Sequence, residues 1–269
     1  MKEIYRRGIT GVLSLLLDRN LEQLPEGWSP SAVSVVGLLF AKAPRLMPAN
    51  VGIWVEAGLL STTLGMNRVR RQVATLSRRL EQGDLPGARR AGLPLLLRDT
   101  SDLGESELAS GAITALADHA ADDLIAPLFY YLLLGLPGAM FYRMAVCMQE
   151  SLGPNAETLV HWMRLIPSQI TGALFVDAAF IEKQNGVRAW HILRRDGSMA
   201  LGAPHLAPRS ALAGALGVEL ADKDDIVVDA NERQPQPADI GRAQRMFHTM
   251  AALAAGIMLG ISLIARRRR

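Results

Sequence analysis

The sequence lacks most of the motifs with which soluble enzymes carry out their chemistry. One cysteine, Cys147, among 269 residues excludes an intramolecular disulfide and any metal site built on cysteine pairs. No glycine is followed by lysine, which excludes a P-loop, and neither His-Glu-x-x-His nor Gly-x-Ser-x-Gly occurs. The five histidines show no metal-ligand spacing. The common NTPase, zinc-protease and serine-hydrolase motifs are therefore absent.

Charge is scarce overall and unevenly distributed. Hydrophobic residues make up 49% of the chain, the mean hydropathy is +0.16 and the formal net charge is only +3. Arginine supplies nearly all the positive charge, in runs at Arg6-Arg7, Arg68 to Arg79 and Arg266 to Arg269. In an apolar chain such runs indicate membrane topology and lipid headgroup contact, and we expect no nucleic-acid partner.

The apolar residues are clustered into segments of membrane-spanning length. Nineteen uncharged residues, Leu124 to Tyr142, correspond to roughly 30 Å of helix, the thickness of a bilayer core. Leu46 to Met66, Leu165 to Ile181 and Met246 to Ala265 are the other long segments. The predicted fold is all-α, a polytopic integral membrane protein with about four or five membrane-embedded helices. We expect multi-pass insertion in the bacterial inner (cytoplasmic) membrane.

Three features qualify these segments. Glu56 is the one charge in its segment, so it should face protein or water. Gly135-Leu136-Pro137-Gly138 predicts a kink or a broken helix. Shorter apolar runs lie at Gly8 to Leu17 and at Ala32 to Phe40. The first of them is followed by no signal-peptide cleavage pattern, so we expect it to be a short hydrophobic element that the protein retains. If successive helices simply alternate in direction across the membrane, the arginine runs Arg68 to Arg79 and Arg266 to Arg269 cannot both lie in the cytoplasm. The number of membrane crossings therefore stays open.

A cytoplasmic helical insertion separates the apolar segments. Apolar residues recur at helical spacing through Met66, Val69, Val73, Leu76 and Leu80, which predicts an amphipathic helix that ends at Gly83. A second helix should follow Asp84-Leu85-Pro86, and a third should run from about Ser106 to Ala121.

Five segments result from this division of the chain. They are an N-terminal membrane region (1–66), the helical insertion (67–123), a central membrane region (124–181), a polar extramembrane region (182–246) and a C-terminal transmembrane helix with a basic tail (247–269). The polar region reads as irregular, with a short strand or helix at Arg188 to Leu193. Ala252, Gly256 and Gly260 lie four apart on the last helix and would permit close packing in a homo-oligomer.

Short motifs occur in a fixed order along the second half of the insertion and beyond. They are Gly83-Asp84-Leu85, Ala88-Arg89, Arg98-Asp99-Thr100, Ala117 to Asp123, Ala126 to Tyr130, Pro137-Gly138-Ala139, Tyr142-Arg143, Ile166-Pro167 and Ala213 to Val218. Together these motifs resemble the CobD/CbiB family, and the resemblance implies an inner-membrane protein of cobalamin biosynthesis. Its reaction would be ATP-dependent ligation of an aminopropanol, or its phosphate, to a carboxylate of adenosylcobyric acid, with the corrinoid as substrate rather than cofactor.

The same resemblance implies roles for particular residues. Arg98 and Arg89 would face phosphate, and Asp118 and Asp122 would hold Mg²⁺ or position the amine. Asp99 joins the catalytic candidates, and His119 and Tyr130 the substrate-binding ones. Structural alternatives stay open: helix capping for Asp122, a surface ion pair for Arg98-Asp99 and an ordinary helical histidine for His119.

Several polar positions depart from the family pattern. The family's Ala-Glu-Asn-x-Ser-Asp stands here as Ala117 to Asp122, and its Pro-Glu stands as Pro208-Arg209. An Asn and an Asp of a further motif are replaced within Val146 to Ser151. These changes leave open a second hypothesis, a catalytically degenerate membrane sensor, regulator or scaffold. AmpE-type inner-membrane proteins, which the chain resembles in layout, are of that kind.

Overall fold

The computed structural model describes residues 6–7, 10–11, 13–14, 48–152, 154–197, 203–221, 227–229 and 232–267. The predicted apolar run at 32–40 and much of that at 8–17 lie outside these residues. The elements are α1 Ala49–Ser61, α2 Met66–Glu81, α3 Leu85–Leu96, α4 Glu105–Ala120, a π-helical turn Ala121–Ile125, α5 Ala126–Leu134, α6 Leu136–Leu152, α7 Pro154–Ile181, α8 Gly186–Arg195, α9 Leu206–Leu216, β1 Leu220–Ala221, β2 Val227–Val228 and α10 Pro237–Arg267.

The chain forms two compact units. The first consists of residues 1–65, 122–167 and 252–269, and the second of residues 66–121 and 168–251. The predominantly helical class is confirmed, with one addition. Leu220 pairs with Val228 and Ala221 with Val227 in a two-stranded antiparallel sheet of the second unit.

The second unit is built around α4. Its residues Leu108 to Ala117 are all buried, and the helix packs against α2, α3, α9 and β1. The predicted amphipathic helix is confirmed as α2, whose Val69, Val73, Leu76 and Leu80 are buried. Gly83, at φ 71°, follows the end of α2, and the Asp84 side chain caps α3 by accepting from Gly87 N at 2.9 Å.

Three interhelix hydrogen bonds and ion pairs organise the first unit. Glu56 on α1 is buried, pairs with Arg6 and accepts a hydrogen bond of 2.9 Å from the Tyr131 hydroxyl. The expectation that Glu56 faces protein is thereby confirmed. The Arg7 guanidinium donates to the Leu132 carbonyl at 2.8 Å, near the end of α5.

Two predicted spans are shorter as helices than as apolar segments. Helix α1 has 13 residues, because the hydroxyls of Ser61, Thr62 and Thr63 donate to the carbonyls three residues earlier and close its C-terminal end. The segment Leu124 to Tyr142 is broken at Gly135, where φ is 77°, into a nine-residue α5 and the start of α6. The predicted break is confirmed.

By length and composition, Pro237–Ile264 within α10 is the one helix of the described residues that could cross a membrane. This helix begins nine residues before the predicted Met246. No Cβ added at Gly256 or Gly260 would meet another atom within 4 Å, so this stripe carries no close packing within the described chain. Its role in a homo-oligomer stays a prediction.

The region 182–246 was predicted to be irregular apart from a short strand or helix at Arg188 to Leu193. That short element is a helix, α8, but the prediction for the rest was wrong, because the region also contains α9 and the start of α10. Helix α9 is buried at every residue, and Gly214 allows α8 to approach so closely that a Cβ there would lie 2.9 Å from Ala189 Cα. A helix that is buried on all sides, such as α9, has no polar face and therefore gives little periodic signal in the sequence.

Candidate functional site

Asp118 lies in the last turn of α4 and is held by an arginine from α9. Arg209 Nε donates to Asp118 Oδ1 at 2.7 Å, and Arg209 Nη2 donates to Asp118 Oδ2 at 2.6 Å. The guanidinium therefore covers both carboxylate oxygens in a two-bond fork. The Arg209 side chain is only 10% exposed, whereas that of Asp118 is 25% exposed.

A histidine completes this cluster, which we call the Asp118 cluster (Asp118, His205 and Arg209). His205 precedes α9, is 33% exposed, and places Nδ1 4.0 Å from Asp118 Oδ1. That distance is too long for a hydrogen bond, so the imidazole is a neighbour of the carboxylate and is not bonded to it. The Asp118 cluster thus combines a fixed cation, an acid and a solvent-accessible base.

Asp122 lies in the π-helical turn and is held in the same manner in the first unit. Arg164 Nε on α7 donates to Asp122 Oδ1 at 3.0 Å, and Arg164 Nη2 lies 2.8 Å from Oδ2. The Tyr142 hydroxyl on α6 donates to Oδ1 at 3.0 Å. Three chain segments therefore converge on one carboxylate.

The neighbouring Asp123 is buried and pairs with Arg143 of α6. Pro127 has no N–H, so it cannot supply the bond that an α-helix would give the Asp123 carbonyl. That carbonyl instead accepts from Gly65 N at 3.4 Å. A Cβ at Gly65 would lie 2.7 Å from Asp123 Oδ2, so glycine is required there for the close approach.

Tyr130 borders this second set, which we call the Asp122 cluster (Asp122, Asp123, Tyr142, Arg143 and Arg164). Its ring stacks on that of Tyr142 with centroids 5.3 Å apart and planes 17° from parallel. Its hydroxyl donates to the Met163 carbonyl at 2.9 Å. The predicted substrate-binding role of Tyr130 stays a prediction, and the structure adds a packing role.

The predicted residues on α3 and in the loop after it make local contacts. Arg89 Nε donates to the Leu103 carbonyl at 2.9 Å, and the Thr100 hydroxyl donates to the Arg89 carbonyl at 2.8 Å. Asp99 is exposed and accepts from both the hydroxyl and the backbone N–H of Ser101, which lowers the pKa of its carboxyl.

Arg98 is half-buried beside Asp99, and His119 is half-buried beside Asp118. The hydrogen bonds and ion pairs of Asp118 go to Arg209 and His205, not to Arg98 or Asp99. The structure therefore does not unite Arg98 and Asp99 with Asp118 by direct contact.

The acidic side chains are poorly suited to Mg²⁺ as they stand. Magnesium requires several oxygen ligands in octahedral geometry. Both oxygens of Asp118 and both of Asp122 instead face a guanidinium. Within the described residues no three His, Cys, Asp or Glu side chains gather as a metal-ligand group. We therefore derive no step through Mg²⁺.

Sequence reasoning missed Arg164, His205 and Arg209 as members of these clusters. The sequence did contain a signal for Arg209. This arginine occupies a position where the resembled family has glutamate, and its partner Asp118 occupies a position where the family also has an acid. Tyr142-Arg143 was noted as a matching motif without a role. No comparable sequence signal indicated that Arg164 would contact Asp122.

Comparison with known proteins identifies relatives along most of the chain. A family model described as CobD/Cbib protein matches residues 27–247. The cobalamin biosynthesis protein CobD of Geobacter metallireducens is 33% identical over 189 residues, covering 66% of this chain and 59% of that protein. The chain thus spans less than two thirds of that relative.

Two further relatives match over longer stretches. The protein of the same name from Rhodobacter capsulatus is 28% identical, covering 87% of this chain and 79% of that protein. That of Brucella anthropi is 25% identical, covering 94% and 96%. No solved structure matches the chain. With 221 of its residues inside one family match that includes both clusters, the chain belongs to the CobD/CbiB family.

Proposed function

We propose that this protein acts in cobalamin biosynthesis as an integral protein of the bacterial inner membrane. Its reaction would form an amide between adenosylcobyric acid and an aminopropanol or its phosphate. This proposal is carried by the family match over residues 27–247. The match includes both clusters, and it extends over polar segments of the chain as well as apolar ones. The relatives that match over 87% and 94% of this chain bear the name cobalamin biosynthesis protein CobD.

The Asp118 cluster offers groups that amide formation needs. An incoming amine must lose a proton before or as it attacks an activated carboxyl group. His205 is accessible and has its imidazole beside the Asp118 carboxylate, which would stabilise the imidazolium that forms when the proton is taken. Arg209 fixes the position of the carboxylate through two hydrogen bonds. We assign His205 as the base and Asp118 and Arg209 as its positioning residues.

The activated carboxyl group would arise by phosphoryl transfer from ATP, and cationic side chains stabilise the charge of such a transfer. The Asp122 cluster holds two partly buried arginines, Arg143 and Arg164, but each is paired with an aspartate of its own chain. We propose that the Asp122 cluster organises the helices of its unit.

Direct assay of the purified full-length protein in detergent tests the proposal. The substrates are adenosylcobyric acid, aminopropanol phosphate, ATP and Mg²⁺, and mass spectrometry detects the amide product. We expect product with the wild type and with His191→Ala, a matched exposed histidine on α8. His205→Ala should lower kcat by roughly 100-fold or more, the usual contribution of a general base.

The profile of activity against pH separates a base from a merely structural residue. The profiles of the wild type and His205→Ala should differ in shape as well as in height, because a general base contributes to the rate only in its unprotonated form. Equal loss of activity at every pH, accompanied by lower protein yield, would assign His205 a structural role. Wild-type protein that forms no amide would overturn the proposed reaction.

One observation favours a second candidate, a non-catalytic membrane scaffold or sensor. All three acids of the sequence block, Asp118, Asp122 and Asp123, are neutralised by arginines of the same chain. In a deletion strain without a second family member and fed adenosylcobyric acid, an unchanged corrinoid profile would support this candidate. Accumulation of that acid, reversed by the wild-type gene but not by His205→Ala, would exclude it.

A further inference from the structure

Helix α3 exposes a continuous apolar face. Its exposed residues recur at helical spacing, and only one of them is charged: Pro86, Arg90, Leu93, Pro94 and Leu97, the residue after the helix. Leu93 and Leu97 are large apolar residues with 53% and 80% relative exposure. The backbone of Leu97 also adopts the left-handed helical conformation, with φ 50°, at a position where glycine is usual. Local stability does not explain a leucine there.

Helix α2 exposes a cationic face. Its exposed positions between Arg68 and Arg79 also recur at helical spacing, and four of the five are arginine: Arg68, Arg71, Thr75, Arg78 and Arg79. The opposite face of α2 is the buried apolar one described above. One of these arginines, Arg79, pairs with Asp84 at 2.9 Å. The others extend the charge along the helix.

The two exposed faces adjoin. A shallow open groove between the helices is lined by Thr75 and Arg79 from α2 and by Gly87, Arg90 and Ala91 from α3. The hairpin therefore presents a cationic stripe directly beside an apolar one. We call this surface (the exposed residues of α2 and α3) the hairpin face.

The charge of the hairpin is larger than that of the whole chain. Residues 66–97 contain seven arginines and two acids, Glu81 and Asp84, whereas the chain has a net charge of +3. The rest of the chain is therefore net acidic. Two copies of the hairpin face would repel each other, which disfavours self-association through it.

We propose that the hairpin face docks on a bilayer surface that contains anionic phospholipid. The arginines of α2 lie at the headgroup phosphates, and Leu93 and Leu97 enter the boundary between headgroups and acyl chains. Adjacent cationic and apolar stripes on one surface are the combination that binds anionic bilayer interfaces. A soluble phosphate compound would use the arginines but leave the leucines in water, so the lipid surface explains both stripes.

A fluorescent probe on the hairpin face tests this proposal in the full-length protein. Because Cys147 is the only cysteine, Cys147→Ser combined with Pro94→Cys gives one labelling site on the exposed face of α3. The labelled protein is placed in nanodiscs of phosphatidylcholine alone or of phosphatidylcholine and phosphatidylglycerol in about a 2:1 ratio. We expect a blue shift and roughly a twofold gain in emission in the anionic discs, reduced by high salt.

Matched charge variants make the test specific. Arg71→Gln with Arg78→Gln should abolish the gain, whereas Arg194→Gln with Arg245→Gln, two exposed arginines outside the hairpin, should keep it. Unchanged circular dichroism and Tm establish that each variant is folded. Leu93→Ser with Leu97→Ser should reduce the gain without changing its salt dependence.

Three results would overturn the proposal. Equal emission in the two kinds of disc would show that anionic lipid is not recognised. The same gain on adding inorganic phosphate to neutral discs would assign the groove to a soluble anion. If the probe emission is already blue-shifted in lipid-free detergent and this shift is lost on dilution of the protein, the face would be assigned to a contact with another protein molecule.

Discussion

Asp118 and Arg209, which lie 91 residues apart in sequence, form two side-by-side hydrogen bonds of 2.7 and 2.6 Å. The pair joins the end of α4 to the start of α9 in the second unit. It also occupies the carboxylate that the sequence had suggested for Mg²⁺. Two consequences of this pairing can be measured, one in stability and one in metal binding.

Removal of either partner should destabilise the protein, because it leaves the other charge partly buried without this ion pair. We expect Arg209→Gln to lower the free energy of unfolding by ~1–3 kcal/mol, less than for a fully buried pair because Asp118 is partly exposed. The double variant with Asp118→Asn should recover part of this loss. A double-mutant cycle from denaturant unfolding in detergent measures the coupling. Strictly additive losses would mean that the pair does not contribute as a unit, and Arg245→Gln is the exposed arginine control.

Magnesium should bind weakly, if at all, to the wild-type clusters. A ligand that binds only the folded state raises Tm by mass action, so a site that is filled at millimolar Mg²⁺ would be visible in thermal unfolding. We expect no shift in Tm on adding Mg²⁺ or EDTA in the absence of nucleotide. A shift that Asp118→Asn or Asp122→Asn removes would show that the arginines give way to the metal, and would restore the metal role of these acids.

Gly65 should tolerate no side chain, because its Cα faces Asp123 at close range. In Gly65→Ala the new Cβ would lie 2.7 Å from Asp123 Oδ2 and would push the carboxylate away from Arg143. Overpacking of this kind costs ~1–3 kcal/mol. Gly58→Ala is the matched control, since a Cβ there meets nothing within 4 Å in α1. That change should be neutral or stabilising, by up to about 1 kcal/mol. Equal effects of the two variants would contradict the steric argument.

The cap of α3 should give a pH-dependent contribution to stability. The Gly87 N–H and, secondarily, Arg79 lower the pKa of the Asp84 carboxyl below its ordinary value. A lowered pKa in the folded state means that Asp84 stabilises the fold fully above its unfolded pKa, and that this contribution is lost as the pH falls through the lowered value. Asp84→Asn keeps a capping oxygen but not the charge.

The Tm of the wild type should therefore exceed that of Asp84→Asn at pH 6. The difference should shrink steadily once the pH falls below about 4. Thermal unfolding monitored by circular dichroism between these pH values measures it. A difference that grows on acidification would have the wrong sign and would exclude the ionised cap as its source.

Local signals predicted both ends of α4 to within one residue, the end of α2 to within two residues and the start of α3, but not the end of α3. The boundary between α2 and α3 depends on residues whose effect needs no distant partner: Gly83 permits a positive φ and Asp84 caps the next helix. The apolar spacing of α2 likewise predicted its buried face. The recurrence of apolar residues every three or four positions can be read directly from the sequence. Gly135 marked the break between α5 and α6 for the same reason.

The prediction failed where packing rather than pattern forms the element. Helix α9 is buried on all sides, so no polar face distinguishes it, and the sequence showed only a motif of small residues. Helix α1 was expected to continue to Met66. Its end is set by three hydroxyls that compete for backbone carbonyls. The apolar composition of the segment does not indicate this competition.

The sequence by itself determined the family, the helical class, the capped helices of the insertion and the identity of the acids at 118, 122 and 123. Only the tertiary structure decided what those acids contact. Charge pairing depends on which side chains the fold brings within about 4 Å, and Arg209 and Arg164 are 91 and 42 residues away from their partners in the sequence. Hydrophobic spacing specifies which face of a helix is buried, but the fold alone specifies what that face meets.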